Sequence, residues 1–277
     1  MKTVSVRLIA ILLISACFLG GASAPASPVA VLHREGSVHG FLVLSNLDGT
    51  PLAEGDLTQV PAGNRITNRL IYRFKDGSRQ EETTIFSQRG NFRLISYHLV
   101  QKGPAFPHPI DLSIATSTGQ VTVQYTDDDG KEKTATERLK LPPDLANGLV
   151  LTLLKNVRPD APPAEVSMVV ATPKPRLVKL AITPQGTEPF SLAGSSHEAV
   201  HYVVKIELGG IAGLVAPLLG KQPPDAHVWI LGGEAPAFVK SESPSFLGGP
   251  IWRSELVSPV WPRTAAPDSK NDGSQKH

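Results

Sequence analysis

The sequence predicts a mainly β protein, in which a highly curved antiparallel sheet or partly open barrel surrounds one central helix. Two observations lead to this fold class. The first is a series of short segments that alternate apolar and polar residues and are separated by turn signals. The second is a single stretch of helical periodicity in the middle of the chain. The 24 glycines and 25 prolines are spread along the sequence and divide it into short elements.

The first half of the chain is predicted to form a meander of strands. Alternation is clearest in Gln120–Thr126, where Val121, Val123 and Tyr125 share one face. Asp-Gly pairs separate several neighbouring segments and are a strong signal for hairpin turns. The strands predicted here are Arg65–Phe74, Glu81–Gln88, Phe92–Lys102, Ile110–Thr116, Gln120–Thr126 and Lys131–Leu139.

One helix is predicted over Asp144–Asn156. Two prolines precede it, and Asp144 is suited to cap its N-terminus. Leu145, Leu149 and Leu153 recur at helical spacing and predict an apolar face that packs against the sheet. The strands predicted after this helix are Glu165–Ala171, Arg176–Thr183, Val200–Leu208, His227–Leu231, Ala237–Ser241 and Ile251–Ser258.

The strands and the helix are predicted to belong to a single β domain over Val29–Pro262. Sandwiches and barrels of this length often form one domain. The remaining Arg263–His277 is polar and almost without apolar residues, so a disordered tail is expected there.

Residues 1–26 have the layout of a secretory signal peptide. Lys2 and Arg7 supply the positive charge, an apolar run follows, and small residues end the segment. The apolar run is shorter than the ~20 residues needed to span a bilayer. Cleavage after Ala26 predicts an exported protein, in the periplasm of a Gram-negative bacterium or secreted. The alternative is a lipidation signal with Cys17 as the modified residue, and both interpretations stay open.

Composition excludes several functional classes. The net charge is +2 without a basic stripe, so nucleic acid is not an expected partner. The one cysteine, Cys17, lies in the signal segment. Cleavage after Ala26 therefore leaves no thiol for a disulfide, a nucleophile or a thiolate metal site. No transmembrane span is expected in the mature chain.

His197-Glu198-Ala199-Val200-His201 matches the His-Glu-x-x-His pattern of zinc peptidases. On a helix, His197 and His201 could share a zinc ion while Glu198 activates its water. The following residues instead alternate as a β-strand does. If the strand includes His197, the two histidines lie ~13 Å apart, which is too far for one zinc ion with bonds of ~2 Å. A zinc-dependent hydrolase is therefore the alternative, and a protein without a cofactor or catalytic activity is favoured.

The segment Gly209–Gly220 contains neither a charge nor a polar side chain. The segment has four glycines and one proline, which make a regular helix or strand unfavourable. Three interpretations remain: a buried crossing, an apolar flap at the mouth of a ligand cavity, or a segment that dips into a membrane surface.

The order of elements resembles that of a group of bacterial envelope proteins. The resemblance consists of a signal peptide, an early meander, a central Pro-Pro-Asp-Leu-Ala-Asn-Gly helix and a late hairpin with His227-Val228-Trp229-Ile230-Leu231. These proteins are distantly similar to the periplasmic lipoprotein-localisation carriers. The resemblance covers roughly Gly55–Ser258 and implies an incomplete barrel with a helix that plugs its concave face. It implies no catalytic residues.

Three functions remain open: a carrier or sensor of an apolar or amphipathic molecule, a zinc hydrolase, and an assembly module that contacts other envelope proteins. The carrier hypothesis requires an apolar cavity with a movable cover. It predicts that one hollow is lined by Leu145, Leu149, Leu153, Ile211, Leu214, Leu218, Trp229 and Trp252. A lipid or another apolar small molecule is the expected ligand.

Overall fold

A computed structural model describes residues 28–127, 129–192, 195–207 and 223–257. The described chain contains fourteen strands and one short helix, α1 (Val150–Leu154). The strands before α1 are β1 (Val38–Asn46), β2 (Pro51–Ala62), β3 (Arg65–Phe74), β4 (Arg79–Arg89), β5 (Asn91–Lys102), β6 (Ile110–Ala115), β7 (Gln120–Thr126) and β8 (Glu132–Arg138). The strands after α1 are β9 (Ala164–Val170), β10 (Arg176–Leu192), β11 (Ser195–Glu207), β12 (Ala226–Leu231), β13 (Ala237–Pro244) and β14 (Ile251–Val257).

All fourteen strands belong to one curved, open sheet, which confirms the predicted fold class. The order is β8-β7-β6-β5-β4-β3-β2-β1-β14-β13-β12-β11-β10-β9, and every neighbouring pair is antiparallel. Two meanders are therefore joined through the pairing of β1 with β14. The two edges of the sheet are β8 and β9, and the chain between them, residues 139–163, is called the crossing segment below.

The predicted alternation of β7 is confirmed. Val121 and Val123 are fully buried, whereas Gln120 and Gln124 are exposed on the other face. This is the pattern expected of a strand with one face on the core, because successive side chains point to opposite sides of the sheet.

Two strands, β1 and β2, were not among those predicted, and two others, β10 and β11, extend far beyond one of their predicted ends. β2 begins at Pro51 and contains Gly55, residue types that disfavour a strand in sequence patterns. Gly55 is required because a Cβ atom there would lie 2.6 Å from the Tyr72 ring. β10 continues beyond Thr183 to Leu192, through an irregularity between Pro184 and Gly186. β11 begins at Ser195 and not at Val200.

The predicted helix Asp144–Asn156 is wrong in its first half, because α1 covers only Val150–Leu154. The preceding residues form strand-like contacts with β9 at the sheet edge. Ser167 donates its backbone N–H to the Asp144 carbonyl (3.2 Å), and its own carbonyl accepts from Ala146 (2.7 Å). Gly148 has a φ of 67°, which ends this stretch in the left-handed region. These edge contacts satisfy backbone groups that a longer helix would have used internally.

The crossing segment fills the concave side of the sheet. Its residues Leu145, Leu149, Leu153 and Leu154 belong to the same apolar cluster as side chains of β4–β7 and β9–β12, including Phe86, Leu112, Ile182 and Tyr202. The Tyr202 hydroxyl also donates a 2.6 Å hydrogen bond to the Val157 carbonyl. The two halves of the sheet thus meet on the crossing segment. We call this group the main core.

A second apolar cluster lies under β1–β3 and β14. It includes Leu42, Tyr72, Phe74 and Trp252, and Phe106 from the loop after β5 packs edge-on against Phe74. The part of the concave face between the second cluster and the main core is only partly covered. Among the described residues, no helix has both the length and the apolar character needed to cross a bilayer.

Candidate ligand-binding site on the concave face

The predicted leucine face is part of a solid core. Leu145, Leu149 and Leu153 are at most 3% exposed and are packed among strands from both halves of the sheet. Close packing of this kind leaves no room for a ligand in contact with the leucines. Ile211, Leu214 and Leu218 lie outside the described residues, as do Cys17 and the predicted signal peptide and tail.

The two predicted tryptophans do not share a hollow with the leucines. Trp252 faces the second apolar cluster. Val228 and Ile230 belong to the main core, so Trp229 between them points to the outer face of the sheet. Among the described residues, the structure therefore does not place the predicted leucines and tryptophans around one hollow.

Two depressions are present on the described surface. One of about 180 Å³ lies at the rim of the second cluster and includes Trp252 and Phe74. The other, of about 370 Å³, lies on the outer face of β4–β7 and is lined largely by small polar side chains such as Ser96 and Ser113. Neither includes a leucine of the crossing segment.

A different group of residues forms the candidate site between the two clusters. Leu57 pairs with Leu70, Leu70 with Glu82, and Glu82 with Leu99 along neighbouring strands. Paired residues point to the same side of a sheet, and Leu99 belongs to the main core. All four side chains therefore face the concave side. Leu57, Leu70 and Glu82 are only half-buried there. With Asn68, Thr84 and Tyr97 of the adjacent row they form what we call the concave site.

A carboxyl–phenol pair is the chemical centre of the concave site. The Tyr97 hydroxyl donates a 2.9 Å hydrogen bond to Glu82 Oε2. Burial raises the pKa of the Glu82 carboxyl, and the hydrogen bond from Tyr97 opposes this rise only partly. Burial and the adjacent carboxylate both hold the pKa of Tyr97 well above its usual range. Within the described chain, the contact of Oε2 with Tyr97 is the side-chain hydrogen bond of the Glu82 carboxyl.

Neighbouring polar groups share this environment. Burial raises the pKa of Tyr72 to about 12, although a hydrogen bond with Ser254 opposes the rise and the Glu82 charge adds to it. Asn68 Oδ1 and Thr84 Oγ1 are buried without a hydrogen-bond partner in the described structure. Buried oxygens of this kind are uncommon in folded proteins. These two oxygens show that polar groups of the concave site lie in largely apolar surroundings.

The pKa of Glu82 predicts a pH-dependent stability difference for Glu82→Gln. The folded protein holds the carboxyl proton more tightly than the unfolded chain does, because the folded-state pKa is raised. The parent therefore loses stability as the pH rises from about 4.5 through the folded-state pKa. Glutamine mimics the protonated form and still accepts from Tyr97. We expect Glu82→Gln to gain stability over the parent as the pH approaches neutrality, measured by urea unfolding.

Glu54→Gln is the matched control for this prediction, because Glu54 is exposed on the outer face of β2. This substitution removes the same charge, but from a carboxylate that is already exposed to solvent. If the free energies of unfolding of Glu82→Gln and of the parent differ by the same amount at every pH in this range, burial does not control the protonation of Glu82.

The His-Glu-x-x-His residues lie in β11 and not in a helix. His197 contacts the Phe190 ring near the end of the β10–β11 hairpin, with 5.7 Å between the ring centroids. His201 lies four strand residues further on and makes separate contacts. In the described part of the chain, no group of three or more His, Cys, Asp or Glu side chains could hold a metal ion. The helical arrangement on which the zinc-hydrolase hypothesis depends is not formed.

His201 instead belongs to a polar cluster on the outer face. It contacts His227 at 2.9 Å and Glu188 at 3.0 Å. Its ring stacks on Trp229, with 4.4 Å between the ring centroids. Lys240 Nζ lies 3.7 Å from the centroid of the same indole. Desolvation lowers the pKa of His201, and the Glu188 carboxylate partly offsets this effect. These contacts bind β10, β11, β12 and β13 to one another.

Sequence reasoning missed Glu82 and Tyr97, although part of the signal was present. Phe86 lies within the predicted strand Glu81–Gln88, and residues two and four positions earlier share its face. That parity places Thr84 and Glu82 on the concave side. Tyr97 gave no comparable signal, because the register with β4 shifts between Ile85 and Phe86 and thereby changes which β5 residues face inward.

No protein-family model, curated protein or solved structure matches this chain. The resemblance to envelope proteins and lipoprotein carriers stays a prediction.

Proposed function

We propose that the protein is an exported envelope protein that binds an apolar or amphipathic ligand on the concave face of its sheet. The observation that carries this proposal is the concave site itself, where half-buried Leu57, Leu70 and Glu82 adjoin the buried Tyr97. Small-molecule sites typically combine an apolar wall with a few fixed polar groups. This combination differs from the main core, whose leucines are packed on all sides.

The apolar wall provides the affinity in this proposal. Leu70 pairs with both Leu57 and Glu82, so it lies at the boundary between the apolar and polar parts. Phe238, half-buried on β13, packs against both the main core and the second cluster. An alkyl chain that covers these side chains would remove apolar surface from water, which contributes about 25 cal/mol per Å².

Export is the second part of the proposal and rests on the sequence of residues 1–26. In the periplasm of a Gram-negative bacterium, or outside the cell, the expected ligands include lipids and other amphiphiles. An anchor through Cys17 stays the alternative to cleavage after Ala26. Either route would place the concave site near membrane-derived molecules.

Native mass spectrometry of the gently purified protein tests this function. We expect a co-purified lipid or other small amphiphile in the parent and its loss in Leu70→Ser, which makes the site wall polar. Val60→Ser is the matched control, since Val60 is 61% exposed and lies on β2 away from this wall. If Val60→Ser retains the ligand, the loss of ligand in Leu70→Ser results from the change at the concave site.

Other outcomes favour the other functions. A parent that carries no small molecule and binds no added amphiphile would contradict the proposal and favour an assembly module. Stoichiometric zinc that disappears in His201→Ala would favour the hydrolase.

A further inference from the structure

The concave site is rich in hydrogen-bond acceptors and has no cation. Asn68 Oδ1 and Thr84 Oγ1 are buried without a hydrogen-bond partner in the described structure, and Glu82 adds a half-buried carboxylate whose Oε2 accepts from Tyr97. Among the described residues, no lysine, arginine or histidine lies within ion-pair distance of the Glu82 carboxylate. Lys155, a cation of the crossing segment, is paired with Glu35. The site therefore contains an acidic group without a balancing positive charge.

We propose that the ligand carries a protonated amine in its head group and that Glu82 is the residue that binds this amine. The inference rests on the proposed function, since it assigns the head group of the molecule that the concave site takes. An ammonium supplies donors to Glu82 Oε1 and neutralises the carboxylate.

The physical reason is the unfavourable desolvation of a lone carboxylate. Removing a charge from water costs free energy unless the charge is paired or hydrogen-bonded. Hydrogen bonds between an ammonium and a carboxylate are shorter and stronger than neutral ones. A carboxylate or phosphate head group would instead place a second negative charge beside Glu82. A hydroxyl would donate one hydrogen bond to the carboxylate but would bring no positive charge to balance it.

The other groups around Glu82 fit the same ligand class. Tyr97 on β5 already donates to Oε2, which leaves Oε1 for the ligand. Tyr72 on β3 is bound to Ser254, and burial holds its pKa near 12, so it stays neutral. From the crossing segment, Gly148 packs over Thr84 and Tyr97 without a side chain. Glu82 is thus the ionisable group that remains to meet a charged head group.

Matched decyl probes test the inference by isothermal titration calorimetry near neutral pH and below their aggregation limits. The three probes are decylamine, decanol and decanoate, which share one alkyl chain. We expect decylamine to bind the parent about tenfold or more tightly than decanol, with decanoate the weakest. Glu82→Gln should abolish the preference for decylamine, while decanol binding stays. Glu54→Gln, which removes an exposed carboxylate of β2, should retain the preference.

The outcomes separate this inference from the proposed function. Equal binding of the three probes, or a preference that survives in Glu82→Gln, would overturn the amine assignment and leave an amphiphile site in place. Failure of every decyl probe to bind would overturn both proposals. Thermal unfolding of each variant shows whether the protein is still folded when it no longer prefers decylamine. Leu70→Ser should weaken all three probes by a similar factor, because it changes the wall and not the head-group contact.

Discussion

Gly148→Ala is expected to lower the free energy of unfolding by about 3 kcal/mol or more, the sum of a left-handed backbone penalty and of overpacking. Gly148 has a φ of 67°, in a region that alanine disfavours. A Cβ atom there would lie 2.0 Å from Thr84 Oγ1 and 2.9 Å from the Tyr97 ring. The crossing segment would have to lift away from β4 and β5 to accept it. Urea unfolding followed by circular dichroism measures the loss.

Gly63→Ala separates the two causes of this loss. Gly63 has nearly the same φ, 64°, but a Cβ atom there meets nothing within 4 Å. We expect Gly63→Ala to lose only about 1–2 kcal/mol, the backbone penalty alone. Equal losses of unfolding free energy in the two variants would show that the crossing segment can move away from Thr84 at little cost. The segment would then be only loosely packed on the concave face.

Leu149→Ala is expected to lower the free energy of unfolding by about 3–5 kcal/mol, as large-to-small changes in closed cores do. Leu149 is 1% exposed and contacts the part of the core that joins the two halves of the sheet. The substitution leaves a cavity that neighbouring strands cannot fill without moving. Leu47→Ala, at a position 47% exposed, is the control and should change stability by about 0.5 kcal/mol or less.

The same variant distinguishes a core leucine from a ligand wall. If Leu149 belongs to the core alone, the folded fraction of Leu149→Ala binds the decyl probes as the parent does. A variant of normal stability with weakened probe binding would contradict this assignment. Leu149 would then line the ligand site, as the sequence first predicted.

The sheet was largely predictable from sequence because most of its strands have one buried face. β3 and β7 match their predicted bounds, since alternation and turn residues agree in both. The first two strands were missed because Gly40, Gly55 and prolines interrupt their patterns. The helix was predicted too long, because leucines at helical spacing also fit a segment that first follows a strand edge and then turns. Periodicity alone does not distinguish these cases.

The candidate site was less predictable because it depends on which face each residue occupies. Val228, Trp229 and Ile230 are all apolar, so their sequence gives no alternation that would assign Trp229 to the outer face. The approach of Tyr97 to Glu82 depends on a register shift between β4 and β5. The unpartnered Thr84 hydroxyl lies against Gly148, which comes from a distant part of the chain.

The pairing of β1 with β14 also constrains how the chain folds as it is made and, if it is exported as proposed above, as it crosses a membrane. Phe41 faces Val257 across this pair, so the centre of the sheet joins strands that are far apart in sequence. Contacts of such long separation form slowly, because a large loop must close first. A chain that crosses a membrane from its N-terminus can form the first meander early but cannot complete the sheet until β14 has emerged. During that interval β1 offers an open backbone edge, and a chaperone that covers this edge would protect the chain from aggregation.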